Sequence, residues 1–473
     1  MRLWLSAAAI AILAAVAGAA LLSSAGAIAD SWTAAVTVPA CGSASQPKVV
    51  FPFSGPSASS GEGAILWLAA GRGCGASDGA ATIDLATIAG SDLPGAPRRL
   101  LTGPAAATGF TAPLYALGTS EGEIITVAGA SGTNVLGGPE AVAADGFAAG
   151  SVDTLRPLGG SDSLVATMNG FIGDADVATI TGDGSGSEIV VRAQRHYARS
   201  FSGRRYIRLG PGAVTALALG MDYRADRLVV WAQDGSVWAR YITNDGRIGE
   251  RQLLGPSGYD AQISAVLSDD HRAFVIWTDE PKPGVSGTAQ VLLAHSGFGP
   301  RFHGTQTLAS FPEPAGLRLT AGSVGAERLS DEGVVLLWPA MSDGNLEVEA
   351  AGATTSGVEP PSTLSVPNQD VRLGAVATGP ANEIVVLLEV APRGAVGFDQ
   401  SRQELLATRS NVVRAPTGLG FGPLVELAAA GPNDDPSVSV DPATDTAVAA
   451  WQTSASGTDQ LAYSVGAGNS TAG

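Results

Sequence analysis

Apolar residues along this chain come in short runs, not in long helical stripes. One run recurs: three to five large apolar residues, often closed by tryptophan, then small or polar residues. It occurs at 64–68 (AILWL), 124–127, 164–167, 228–231 (LVVW), 274–277 (FVIW), 335–338 (VLLW), 385–388 and 447–451 (AVAAW). Such runs fit buried strands. A second run precedes many of them and alternates between large and small or polar residues, as at 214–219, 261–267 and 436–440. That is the pattern of a strand with one buried face. Turn residues link the two, as in Ser268-Asp269-Asp270 and 441–445 (DPATD). Two further strands follow. Gln233-Asp234-Gly235 turns into 236–242, and Asn244-Asp245-Gly246 leads to an outer strand at 250–254. Outer strands are also predicted at 98–101, 206–209, 305–308 and 424–427, the last two introduced by Gly-Phe-Gly-Pro at 297–300 and 420–423.

Units of four short antiparallel strands, repeating every roughly 40 to 64 residues, predict an all-β chain. The expected architecture is a β-propeller of seven or eight four-stranded blades. One unit alone has too little apolar surface to be stable, and stacking buries both of its faces. The Trp or Leu of the second strand is expected between blades, with glycine and alanine near the axis. Strand signal ends after 460–465, so the last unit lacks an outer strand. The segment 48–53 (KVVFPF) is a spare strand near the start and is predicted to complete that blade. An edge open to aggregation would thereby be covered. The stretch 130–159 is poorly patterned, which leaves seven and eight blades both open; a short helix at most is expected near 140–150. A row of immunoglobulin-like sandwiches would need longer units, and a β-helix shorter, more even ones.

The first residues change the picture of where the chain works. Arg2 precedes an apolar stretch, and Ala27-Ile28-Ala29 stands before Asp30. These are the parts of a secretory leader. The expected division is 1–29 as signal peptide and 30–473 as the propeller domain. The stretch is also long enough to remain as an anchor. No later run suits a membrane span. Cys41 and Cys74, the two cysteines, are expected to pair in an oxidising compartment.

Composition narrows the partners. The net charge is -17, with 15% charged residues and 62 glycines. A nucleic-acid partner would need clustered cations, and Arg204, Arg205 and Arg208 are too few. The four histidines, His196, His271, His295 and His303, show no short ligand spacing and read as surface or loop residues. Asp174, Asp176 and Asp183 with Gly184 form a loose acidic stretch whose oxygen spacing is irregular for calcium, and it reads as a solvated turn. Paired carboxylates cut glycosidic bonds when they face each other. The adjacent pairs Asp279-Glu280 and Asp434-Asp435 read as loop carboxylates at blade edges. No serine-hydrolase elbow or phosphate-binding loop is present. No catalytic, cofactor-binding or metal-binding residue is therefore assigned, and no cofactor is expected.

Trp231, Trp277, Trp338 and Trp451, with the Gly-Phe-Gly-Pro turns, resemble the repeats of secreted bacterial β-propeller proteins. The resemblance spans roughly residues 48–466 and extends more loosely to sialidase-like and WD40-like propellers. It implies an extracellular, monomeric protein with a protein or glycan partner. The chain departs from both looser relatives. Residues 233–238 lack the sialidase Asp-box spacing, and its tryptophans precede Ala, Thr, Pro and Gln instead of Asp. The leading expectation is a binding or scaffold propeller. The alternatives are a glycan-active hydrolase or lyase with acidic residues in the central funnel, and a structural part of the cell envelope. Longer segments between Trp277 and Trp338 and between Leu388 and Trp451 (281–284, 392–394) are candidate binding loops.

Overall fold

The structure is a computed structural model. It describes residues 31–467 except 39, 41, 52–61, 71–81, 90–93, 103–108, 119–123, 132–139, 145–151, 155–165, 172–173, 183–186, 195–200, 283–284, 298, 313–323, 330–332, 355–356, 381, 395–396, 399, 412–418 and 455–458. The expected leader and both cysteines lie outside these residues, and nothing described supports the expected Cys41–Cys74 bridge.

The regular elements of the described chain are strands, apart from one 3-10 turn at Gln400–Arg402. They form eight antiparallel sheets in succession. Their first strands are Ser43–Val50, Gly109–Gly118, Ala166–Phe171, Val214–Met221, Ile263–Leu267, Gly325–Arg328, Gln369–Thr378 and Asn433–Val440. Six sheets have four strands. The sixth sheet has five and the seventh has six, because short outer segments such as Gly397–Phe398 extend them. Residues 392–394, expected as a loop, belong to the long strand Glu383–Gly394.

Each first strand packs against the first strand of the next sheet, and Asn433–Val440 packs against Ser43–Val50. Eight main clusters of buried apolar side chains lie between successive sheets. One of them joins Val448 and Tyr463 of the eighth sheet to Val49 and Trp67 of the first. The recurring tryptophans sit in these layers: Trp67, Trp231, Trp277, Trp338 and Trp451 are each at most 2% exposed. Each contacts the preceding sheet, as Trp277 does with Val230 and Leu254 in one shared cluster. Gly220 shows why small residues stand on the first strands. A Cβ there would lie 3.0 Å from the Leu267 backbone nitrogen of the next sheet.

The first and last described strands pair, though the segment that does so is not the one expected. Residues 48–50 lie in the first strand of the first sheet. The outer strand of the last sheet is Val36–Val38, paired antiparallel with Gln460–Gly466. An apolar VTV segment suits an outer strand as well as KVVF does, and only the sheet-to-sheet packing selects between them. A chain starting at Pro39 or later loses this cover. It is expected to melt lower than a chain from Asp30 and to aggregate with rising concentration, because an unpaired edge recruits other strands. Equal melting and equal light scattering would show that the segment seals nothing.

Three other expectations are corrected. The run at 164–167 overlaps the first strand of the third sheet, not its second. The second is Asp174–Gly182, which holds Asp174 and Asp176 of the stretch read as a solvated turn. Of the stretch expected to hold a short helix at most, Glu140–Ala144 is a strand, and 145–150 lie outside the described residues. With Val152–Thr154 that strand completes the second sheet. The weak patterning there follows from alanine-rich strands, which alternate too little in size to read. No helix among the described residues is long and apolar enough to cross a membrane.

Candidate functional site

The first strands of five sheets line one cavity of about 460 Å³. Its walls are mostly small or aliphatic, and five polar side chains line it: Tyr115, Ser264, Glu327, Arg328 and Thr378. Glu327 comes from the short strand Gly325–Arg328, of which residues 326–328 all line the cavity. Burial raises its carboxyl to about 7, with neighbouring Arg328 pulling the other way. Burial also raises the Tyr115 phenol, to about 12. Glu327 can therefore exchange a proton near neutral pH, whereas Tyr115 stays protonated. Arg328 is held in place from two sides. Its guanidinium donates to Asp269 of the fifth sheet, and its carbonyl accepts from the Thr378 hydroxyl at 2.9 Å.

The cavity walls end in a repeated turn. The first residue of each turn donates its N–H to the carbonyl of the fifth, as Asp222 does to Asp226 and Ser268 to Arg272. The fourth residue adopts positive φ in several copies: Ala225 at 60°, His271 at 63° and Asn382 at 62°. In the fourth sheet the Asp222 Oδ1 atom accepts the N–H groups of Arg224 and Asp226, both at 2.9 Å. Its Oδ2 lies 2.6 Å from Nδ1 of His271 in the next sheet, and Asp226 Oδ2 lies 3.5 Å from the same nitrogen. Burial raises the Asp222 carboxyl, and the charge of Asp226 adds to that. His271 is thus no plain loop residue. Its partner stands 49 residues earlier in the chain, so no short spacing could reveal the pair.

A second polar group occupies the opposite ends of the inner strands. Arg372 of the seventh sheet lies among the charges of Glu389, Asp370 and Glu280, and burial lowers it to about 10. Its guanidinium lies 3.9 Å from the centre of the Phe398 ring. Burial raises Glu389 to about 7, against the pull of Arg372 and with Asp434 adding repulsion. The two adjacent pairs read as edge carboxylates therefore reach one network. Glu280 is 5% exposed and Asp434 faces Glu389, while Asp435 accepts from the Gln46 amide at 2.9 Å. Asp176, from the acidic segment, is buried and paired with Arg227 of the fourth sheet. Asp183 and Gly184, the rest of that stretch, lie outside the described residues.

No family model matches the chain, and neither does any curated protein. Among solved structures, it is similar to a polysaccharide lyase, the PL25 ulvan lyase bound to -[GlcA(1-4)Rha3S]-. The TM-score is 0.44 at 11% identity, over 83% of this chain and 96% of that one. It is similar to the Aleuria aurantia lectin in complex with α-methyl-L-fucoside (TM-score 0.34, 12% identity, 68% and 95% covered). It is also similar to the NanB sialidase from Streptococcus pneumoniae (TM-score 0.35, 11% identity, 93% and 70% covered). These likenesses are distant, spread over lyase, lectin and sialidase, and single out no family.

Proposed function

We propose that the chain is an exported, monomeric eight-bladed propeller, closed into a ring by Val36–Val38, that cleaves an anionic extracellular glycan in its central cavity. The reading rests on Glu327, an inward-facing carboxyl raised to about 7 inside a cavity of about 460 Å³. That volume suits one or two sugar units. Glu327 is the only carboxylate among the described lining residues, whereas hydrolysis by paired carboxylates needs two. Elimination needs a different set. Ionised Glu327 takes the proton α to a uronate carboxylate, and Arg328 balances the charge that develops there. The electron pair forms the new double bond, and the glycosidic oxygen leaves with the proton of Tyr115. In a ring of eight, Tyr115 and Glu327 stand four sheets apart, on opposite walls.

The test is incubation with a panel of uronate-containing polysaccharides, followed by the ultraviolet absorbance of unsaturated products. Glu327→Gln is expected to lower kcat by about 10²- to 10⁴-fold. In the parent protein kcat/KM should rise as pH passes through about 7, where Glu327 ionises. New reducing ends without absorbance would replace elimination by hydrolysis. Binding without cleavage of any glycan would return the chain to the scaffold reading.

A further inference from the structure

The geometry points to a divalent transition-metal site, with zinc as the fitting ion, held by Asp222, Asp226 and His271 between the fourth and fifth sheets. One ligand atom from each, two carboxylate oxygens and an imidazole nitrogen, lies within 4.8 Å of the others. This donor set suits zinc and its neighbours better than calcium, which takes oxygen ligands.

An ion pair alone would explain two opposite charges in contact, but the Asp222 carboxylate behaves otherwise. Its side chain is fully buried. Oδ1 is occupied by two backbone N–H groups, which fix the direction of Oδ2. Among the described residues Oδ2 has no hydrogen-bond partner, although Nδ1 of His271 is 2.6 Å away. The two atoms are close without the alignment that an N–H···O bond requires. Two lone pairs turned toward one cation would give that arrangement. A buried carboxylate oxygen left without a donor is costly, and a cation there satisfies it. Asp226 is 23% and His271 28% exposed in their side chains, so the site stays open on one side for water or a ligand group. Met221 and Leu267, which line the central cavity, directly precede the two turns that carry the site. The ion would therefore stand at the cavity rim. This inference does not depend on Glu327 or on any cleavage.

The experiment uses the mature chain from Asp30, stripped with a chelator and titrated with Zn²⁺ by calorimetry, and with Co²⁺ followed by visible absorbance. Asp222→Asn keeps the oxygen that caps the turn and removes the charge. His271→Asn keeps a residue that tolerates positive φ and removes the imidazole. One Zn²⁺ per chain is expected. Each variant should bind at least about tenfold more weakly and lose the Co²⁺ bands, while His295→Gln binds like the parent. Zn²⁺ should raise the melting temperature of the parent but not of the two variants. Stoichiometric binding that both folded variants retain, no binding by the folded parent, or binding of Ca²⁺ alone would overturn the assignment.

Discussion

Replacing Trp277 by alanine should destabilise the protein by about 3–5 kcal/mol, the range for deleting a large aromatic side chain from a packed core. Trp277 is 0% exposed and sits in the layer between the fourth and fifth sheets. Gly255 on the neighbouring outer strand is already at contact distance, since a Cβ there would lie 3.0 Å from the indole. The backbone around the ring has little slack, so the space is expected to persist as a cavity. A paired comparison separates volume from polarity. The Trp277 indole N–H donates to the Pro256 carbonyl at 2.8 Å, while the buried Trp231 N–H has no partner among the described residues. Trp277→Phe should therefore cost about 1 kcal/mol more than Trp231→Phe, because it strands a carbonyl. Urea unfolding of the four proteins measures both effects. A near-neutral Trp277→Ala would mean that the sheets do not depend on these layers.

The second large effect is on stability against pH. Glu327 has an ordinary value of 4.5, raised to about 7 in the folded chain. Below pH 4.5 the group is protonated whether folded or not, and its burial carries no ionic cost. As pH rises from 4.5 to 7 the unfolded chain releases this proton and the folded chain keeps it, so stability falls. Above about 7 the loss is constant, at up to about 3 kcal/mol. Glutamine has no proton to release. Glu327→Gln is therefore expected to match the parent at pH 4 and to exceed it at pH 8 by about 2–3 kcal/mol. Glu389, raised to about 7 by the same cause, acts over the same window. Asp459 is held low by the Ser454 and Ser43 hydroxyls and acts in the opposite sense, but it lies near solvent and its share is small. A stability difference that is the same at pH 4 and pH 8 would show that Glu327 ionises normally. The elimination chemistry would fail with it, since the base would then lack its raised value.

The recurring apolar runs were enough to place seven of the eight second strands, because a strand buried on both faces must be apolar along its length whatever its neighbours. Five of those strands carry the tryptophans that fill the layers between sheets. The third sheet escaped this reading. Its second strand begins Asp174-Ala175-Asp176, and Asp176 is tolerated inside only because Arg227 of the next sheet meets it. The outer strand of the eighth sheet escaped for a similar reason. Val36–Val38 and 48–50 each carry two valines, and pairing with Gln460–Gly466 is decided by the packing of the sheets.

The sequence by itself determined the strand-rich class, the repeat and the core residues, since these follow from hydrophobic period and local turn chemistry. Only the tertiary structure decided the chemistry. Glu327, Tyr115 and Arg328 come from different sheets or from adjacent positions with no motif, and Asp222 meets His271 across 49 residues of chain. A carboxyl is raised by the protein stacked around it, and a ligand pair is made by two turns brought side by side. Neither environment exists until the sheets pack.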